Sequence, residues 1–300
     1  MKKNVSRRSK NERTLACPNQ PLGAKPPKLA PNQPLRATAG HVLFEMLGQF
    51  TTNLNTLRTS DDPEVVHQAR VGWRRFKSAL RLFKPALVAD AAPSWQGLEL
   101  LLARLGELRN HDVAYVDTLP PLADAFAQGD TLRREAWQAM LTALLEATQL
   151  QRKAVRDALQ APAVDAQLRT AAQWLDTLCA PNAPSNAKDD IKISLRRWSR
   201  CRIARLHRQL KDARHEAKTP DTQHRVRIIG KRMRYGIETL RTLLPKRRAT
   251  HGLQQAKRLQ LNMGAARDAL QAVVLAEKLQ ADPRIVEFLR GVAAGRARWV

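Results

Sequence analysis

An eleven-residue segment that opens with histidine and places a cation on nearly every turn occurs twice in the chain. His67-Gln-Ala-Arg70-Val-Gly-Trp-Arg74-Arg75-Phe-Lys77 is matched, at an offset of 157, by His224-Arg-Val-Arg227-Ile-Ile-Gly-Lys231-Arg232-Met-Arg234. A second pair follows at an offset of 158: Leu105-Gly-Glu-Leu-Arg109-Asn110 and Met263-Gly-Ala-Ala-Arg267-Asp268. Two matched blocks at nearly one offset read as two related halves, and any fold must place two copies of one amphipathic element. At about 100° per residue, Arg70, Arg74, Lys77 and Arg81 fall within about 80° of His67, opposite a stripe of Ala69, Trp73, Phe76, Leu80 and Phe83. In the second copy His224, Arg227, Lys231 and Arg234 oppose Val226, Gly230, Met233, Ile237 and Leu240, and Glu238 stands where the first copy has Arg81. Arg75 and Arg232 lie about 80° from the two histidines, at the edge of each basic stripe.

From about residue 37 the apolar residues recur at three and four positions and β-branched clusters are scarce, so the chain reads as all-α with no sheet. Proline and aspartate breaks at 61–63, 84–93, 120–121, 129–130, 162, 181–186, 219–221, 245 and 282–283 predict about ten helices. The long polar interruption at 181–186 divides the folded part into one helical-bundle half over 37–180 and another over 186–300. Residues 1–36 hold nine Lys or Arg against one acid, Glu12, with Pro-Asn-Gln-Pro-Leu repeated at 18–22 and 31–35; this composition reads as a disordered basic tail.

The 300 residues carry 52 Lys and Arg against 27 Asp and Glu, a formal charge of +25 of which the tail holds only +8. The folded part itself therefore concentrates positive charge, which calls for an acidic partner. No run of about 18–20 uncharged residues suggests a membrane span, and the basic start lacks the apolar run of a secretory signal, so a cytoplasmic location is expected. Cys17, Cys179 and Cys201 show no metal-ligand spacing, which points to no structural metal and no cofactor.

A solvated basic helix normally alternates sign so that Glu and Lys pair at i, i+4, whereas no acid lies between His67 and Arg81. Like charges one turn apart repel, and an extended anion is the simplest compensation. The stripe runs roughly 21 Å, a length suited to a linear chain of phosphates. Arg197, Arg200, Arg208 and Lys211 form another basic face opposite Leu195, Ile203, Leu206, Leu210 and Ala213. Turned inward, such faces would line a cationic cleft in which low-dielectric walls strengthen each bond to a phosphate oxygen. Each histidine, set among arginines, should resist protonation until a polyanion arrives.

The motifs His67-x-x-Arg70-Val-x-x-Arg74-Arg75-x-Lys77 and His224-x-x-Arg227-Ile-x-x-Lys231-Arg232-x-Arg234, each followed by its Leu-Gly-Glu-Leu-Arg-type block, resemble the CHAD family (conserved histidine α-helical domain) over residues 37–300. The resemblance implies two four-helix bundles in pseudo-two-fold arrangement around a basic pore, non-catalytic binding of inorganic polyphosphate, and association with polyphosphate granules. Carried over by position, the binding residues are His67, Arg70, Arg74, Arg75, Lys77, Arg81 and Arg109 with His224, Arg227, Lys231, Arg232 and Arg234; Arg197 and Arg208 join them from the basic face read above. Arg267 matches less faithfully, because Ala265 and Ala266 replace Glu-Leu, and Glu238 also departs, which implies weaker binding by the second half.

Two other classes compete. His111-Asp112 in a helical chain is shared with metal-dependent phosphohydrolases, but a dipeptide is a weak signal and neither a nucleophile motif nor a glycine-rich phosphate loop accompanies it, so no enzyme is expected. A nucleic-acid backbone binder would show the same phosphate contacts and the same salt dependence. Against it, the Phe and Trp near the stripes fall on the apolar side and the chain has two Tyr, which leaves no stacking platform for bases; the tail alone is expected to touch nucleic acid nonspecifically.

Overall fold

In the computed structural model residues 20–87, 91–180 and 194–297 are described, and the side chains of Pro220, His224 and residues 259–263 are not. Ten α-helices form among the described residues: α1 (Leu35–Leu57), α2 (Pro63–Phe83), α3 (Glu99–Asp112), α4 (Ala123–Ala127), α5 (Thr131–Leu159), α6 (Pro162–Cys179), α7 (Leu195–His215), α8 (Pro220–Leu240), α9 (Lys246–Lys278) and α10 (Pro283–Ala297). No strand occurs among the described residues, so the all-α expectation holds. The break signals act through caps. Asp62 Oδ1 accepts from the Glu64 amide at 2.8 Å with Pro63 at the first helical position. Asp130 likewise caps α5 by accepting from the Arg133 amide, and Thr219 and Thr222 close a reciprocal capping box ahead of α8.

Burial is organised in three apolar clusters. The largest joins α1, α2, α3, α6 and the end of α5 to Leu195 and Leu206 of α7 and to Leu240 and Leu243. A second gathers Phe126, Trp137, Met140 and Leu144 with Ala272, Val273, Leu275, Ile285 and Leu289. The third, around Leu210, Met233, Ile237 and Ala249, joins α7 and α8 to the start of α9. Two of the three draw on both sides of residue 180. The largest crosses through Leu195 and Leu206 of α7 and Leu240 and Leu243 at the end of α8, and the second because the start of the 29-residue α5 meets the far end of the 33-residue α9, helices of roughly 43 and 50 Å that each end in a different cluster from the one where they start. The segment 181–193, which carries the predicted boundary, lies outside the described residues.

Helix α2 sits at the middle of this arrangement, packed on α1, α3 and α8. Its approach to α1 is close because Gly72 leaves room for the Phe50 backbone: a Cβ there would stand 2.9 Å from the Phe50 nitrogen. Helices α2 and α8, the two copies of the repeated segment, each have 21 residues and start 157 positions apart.

The expected tail divides. Residues 1–19 lie outside the described residues, and 20–34 form a strap over the bundle. Leu22 exchanges hydrogen bonds with the Asn53 side chain (2.9 and 3.1 Å), and Leu29, 6 % exposed, joins the largest core while its backbone meets the Thr242 hydroxyl. Composition pointed to disorder there because few apolar residues do the anchoring, and their partners lie as much as 213 positions away.

Candidate anion-binding site

The basic stripes of α2 and α8 converge. Arg70 is pushed down to about 10, first by burial and then by the charges of Arg74, Arg267 and Arg109. Lys231 on α8 is pushed down to about 8, again by burial first, with Arg227, Arg74, Arg267 and Arg70 adding to it. Burial, then Arg109, Arg74 and Arg70, also hold His67 below the usual imidazole value against the opposing pull of Glu64. Mutual repulsion of this kind requires proximity, so α2, α3, α8 and α9 together deliver His67, Arg70, Arg74, Arg109, Arg227, Lys231 and Arg267 to one place. Gly106 on α3 makes the space: a Cβ there would lie 3.0 Å from Arg70 Nη1. Carboxylates temper the field. Asp117 stands 3.8 Å from Arg109, and Asp268, raised by its own burial, lies beside Arg267, Arg109 and Arg227. One side of the cluster opens into a hollow of about 460 Å³ whose lining includes His67, Arg74, Lys231, Arg234, Arg241 and Lys257 together with Glu238 and Tyr235, with Ala24 and Pro26 of the strap across its edge.

The CHAD domain profile matches residues 41–277, most of the chain and both repeated blocks. The chain belongs to the CHAD domain family. Among solved structures, the CHAD domain from the plant Ricinus communis is similar, with 24 % identity, a TM-score of 0.75, and coverage of 93 % of this chain and 91 % of that one. PptA from Streptomyces chartreusis is more distant, with 18 % identity, a TM-score of 0.52, and coverage of 89 % and 95 %. Both likenesses bear on the fold alone. No curated protein matches the sequence.

Within this CHAD domain the residues singled out from sequence take different places. His67, Arg70, Arg74, Arg109, Arg227 and Lys231 meet in the cluster; the side chain of His224 lies outside the described residues. Lys77 rests over the Trp73 ring at 5.8 Å, and Arg234 Nε donates to Glu238 at 2.8 Å. Arg75 leaves the stripe altogether. It is 5 % exposed and donates to Gln49 Oε1 at 2.8 Å and to the Lys25 carbonyl at 2.7 Å, which makes it a tether between α2, α1 and the strap. Its position at the stripe's edge on the helical wheel is the position that α1 covers.

Arg81 and Arg232 are drawn off to a second hollow of about 410 Å³ between α2, α7 and α8. Arg197 and Arg208 are exposed on the side of α7 opposite its buried stripe of Leu195, Ser199, Leu206, Leu210 and Ala213, so the structure does not bring them to the cluster. The arginines of α7 that do turn inward are Arg202 and Arg205, overlooked because Arg202 sits beside the apolar stripe on the wheel. Arg267 was undervalued; its place in the second matched block was the available signal.

His111 and Asp112 are committed elsewhere. Thr148 Oγ1 stands 3.5 Å from His111 Nδ1, and Asp112, 2 % exposed and raised to about 6 by burial against the pull of Arg152, accepts from Arg152 at 3.2 Å. Among the described residues no group of three or more His, Cys, Asp or Glu is placed to hold a metal, and no helix is long and apolar enough to cross a membrane.

Proposed function

We propose that this CHAD domain binds inorganic polyphosphate non-catalytically, through the cationic cluster of His67, Arg70, Arg74, Arg109, Arg227, Lys231 and Arg267. The observation that carries the reading is the convergence of like charges from four helices, at a place where burial and repulsion pull Lys231 down to about 8. Such a cluster destabilises the empty protein and is relieved only by an anion that reaches several cations at once. A linear chain of phosphates does so with charge-assisted bonds along both stripes, and low-dielectric surroundings strengthen each. The aromatic rings beside α2 favour this ligand over nucleic acid. Phe50, Trp73, Phe76 and Trp95 pack against one another at 5.1–5.5 Å on the core side and do not line the hollow beside the cluster, and the ring that does, Tyr235, is only 9 % exposed, which leaves little face for a base to stack on. A module of this kind belongs wherever polyphosphate collects in the cytoplasm, granules included.

Competition between long-chain polyphosphate and single-stranded or duplex nucleic acid at moderate salt tests the reading. Polyphosphate should displace nucleic acid and release no orthophosphate on prolonged incubation. Equal or tighter binding of nucleic acid, or steady phosphate release, would overturn it.

A further inference from the structure

The hollow between α2, α7 and α8 is lined by Arg81, Lys84, Arg202, Arg205, Arg232 and Gln209, with no carboxylate among its lining residues. Five cations line it without an acid, whereas carboxylates temper the central cluster. The hollow is separate: it shares no lining residue with the hollow beside the central cluster. Its walls are fixed from several sides. Arg202 donates to the Arg81 carbonyl at 2.8 Å, which ties α7 to the end of α2, and the Phe83 and Trp198 rings stack at 5.3 Å beneath. The Nε atoms of Arg202 and Arg232 are buried and have no hydrogen-bond partner among the described residues. The guanidinium fork is the shape that grips phosphate oxygens in pairs. A volume of about 410 Å³ has room for a few phosphate groups and not for a folded polymer.

We infer that this hollow is a second anion site, which takes a compact run of two or three linked phosphates, either free or as the end of a longer chain. The inference deepens the polyphosphate reading and stands on different residues, so the two can fail separately.

Calorimetric titration of the full chain with inorganic triphosphate tests it. Two binding events are expected. Arg202→Gln and Arg205→Gln should each weaken one event at least about tenfold, which corresponds to the loss of one charge-assisted contact, and Arg70→Gln with Arg227→Gln should leave that event in place. Arg205 is exposed, so its variant reports on binding even if Arg202→Gln disturbs the fold. Repeating the titration with long-chain polyphosphate already bound separates the two sources: an event that vanishes marks the chain's own end as the occupant, and one that persists marks a free oligophosphate. Triphosphate binding that Arg205→Gln leaves unchanged would overturn the site. Loss of that event while long-chain polyphosphate fails to bind would spare the site and sink the central reading.

Discussion

Arg75 and Arg232 hold corresponding positions on two helices of equal length, and their surroundings are opposite. Around Arg75 the bundle supplies acceptors: the Gln49 carbonyl oxygen, the Lys25 backbone carbonyl, and the charge of Glu238 close enough to favour the cation. Around Arg232 it supplies another cation, since after burial the largest influence on this guanidinium is Arg81, which lowers it. The residue that differs is the one at the shared position near each helix's end, Glu238 in one copy and Arg81 in the other. A single exchange of sign thus separates an end of the α2–α8 pair that is satisfied internally and crossed by the strap from an end that faces an all-cationic hollow. The same residue type at the same repeat position can therefore be structure in one half and ligand surface in the other, and its neighbours decide which.

The largest expected effect concerns stability. Arg75→Leu should cost about 2–4 kcal/mol, since it strands the buried Gln49 oxygen and cuts the strap's tether, and Arg232→Leu should change stability by no more than about 0.5 kcal/mol. Urea midpoints of the two variants measure the contrast, and equal losses would break it. Arg81→Glu comes next: it copies the second half's carboxylate into the first, gives Arg232 a partner, and should raise stability by about 1 kcal/mol while abolishing triphosphate binding in the outer hollow.

The smallest effect is a pH dependence. Lys231 titrates at about 8 in the folded protein and at its ordinary 10.5 unfolded, so between those values the unfolded chain holds a proton that the folded one has lost. Stability of the free protein should therefore climb across that window. Polyphosphate affinity should fall a few-fold over the same range, because the ligand favours the charged amine. Lys231→Arg, charged throughout, should flatten both profiles, measured by thermal melts and by titration at steps of pH.

Much of the fold could be read in advance because its signals are local. Asp62-Pro63 and Thr219-Pro220 cap helices where they stand, and the three- and four-residue spacing of apolar side chains fixes which face α2 buries. The convergence of Arg70 with Lys231 was also legible, since the repeat ties two like stripes to two like helices. What escaped depends on distant partners. Nothing near Leu29 announces that Thr242 and the core will hold it, and nothing in the α7 wheel says that Arg202, beside the apolar stripe, meets Arg81 of a distant helix. Arg75 was misjudged for the same reason: its burial is imposed by α1 and the strap, not by its own helix.

The central claim rests on the meeting of the two stripes, and the direct measurement is the affinity of the full chain for long-chain polyphosphate at moderate salt, with and without Arg70→Ala, Arg74→Ala, Arg227→Ala and Lys231→Ala combined. Removing four charge-assisted contacts should weaken binding by at least about a hundredfold, with the far-ultraviolet circular dichroism of a folded helical protein retained. Undiminished affinity in a variant that keeps its helices would contradict the account.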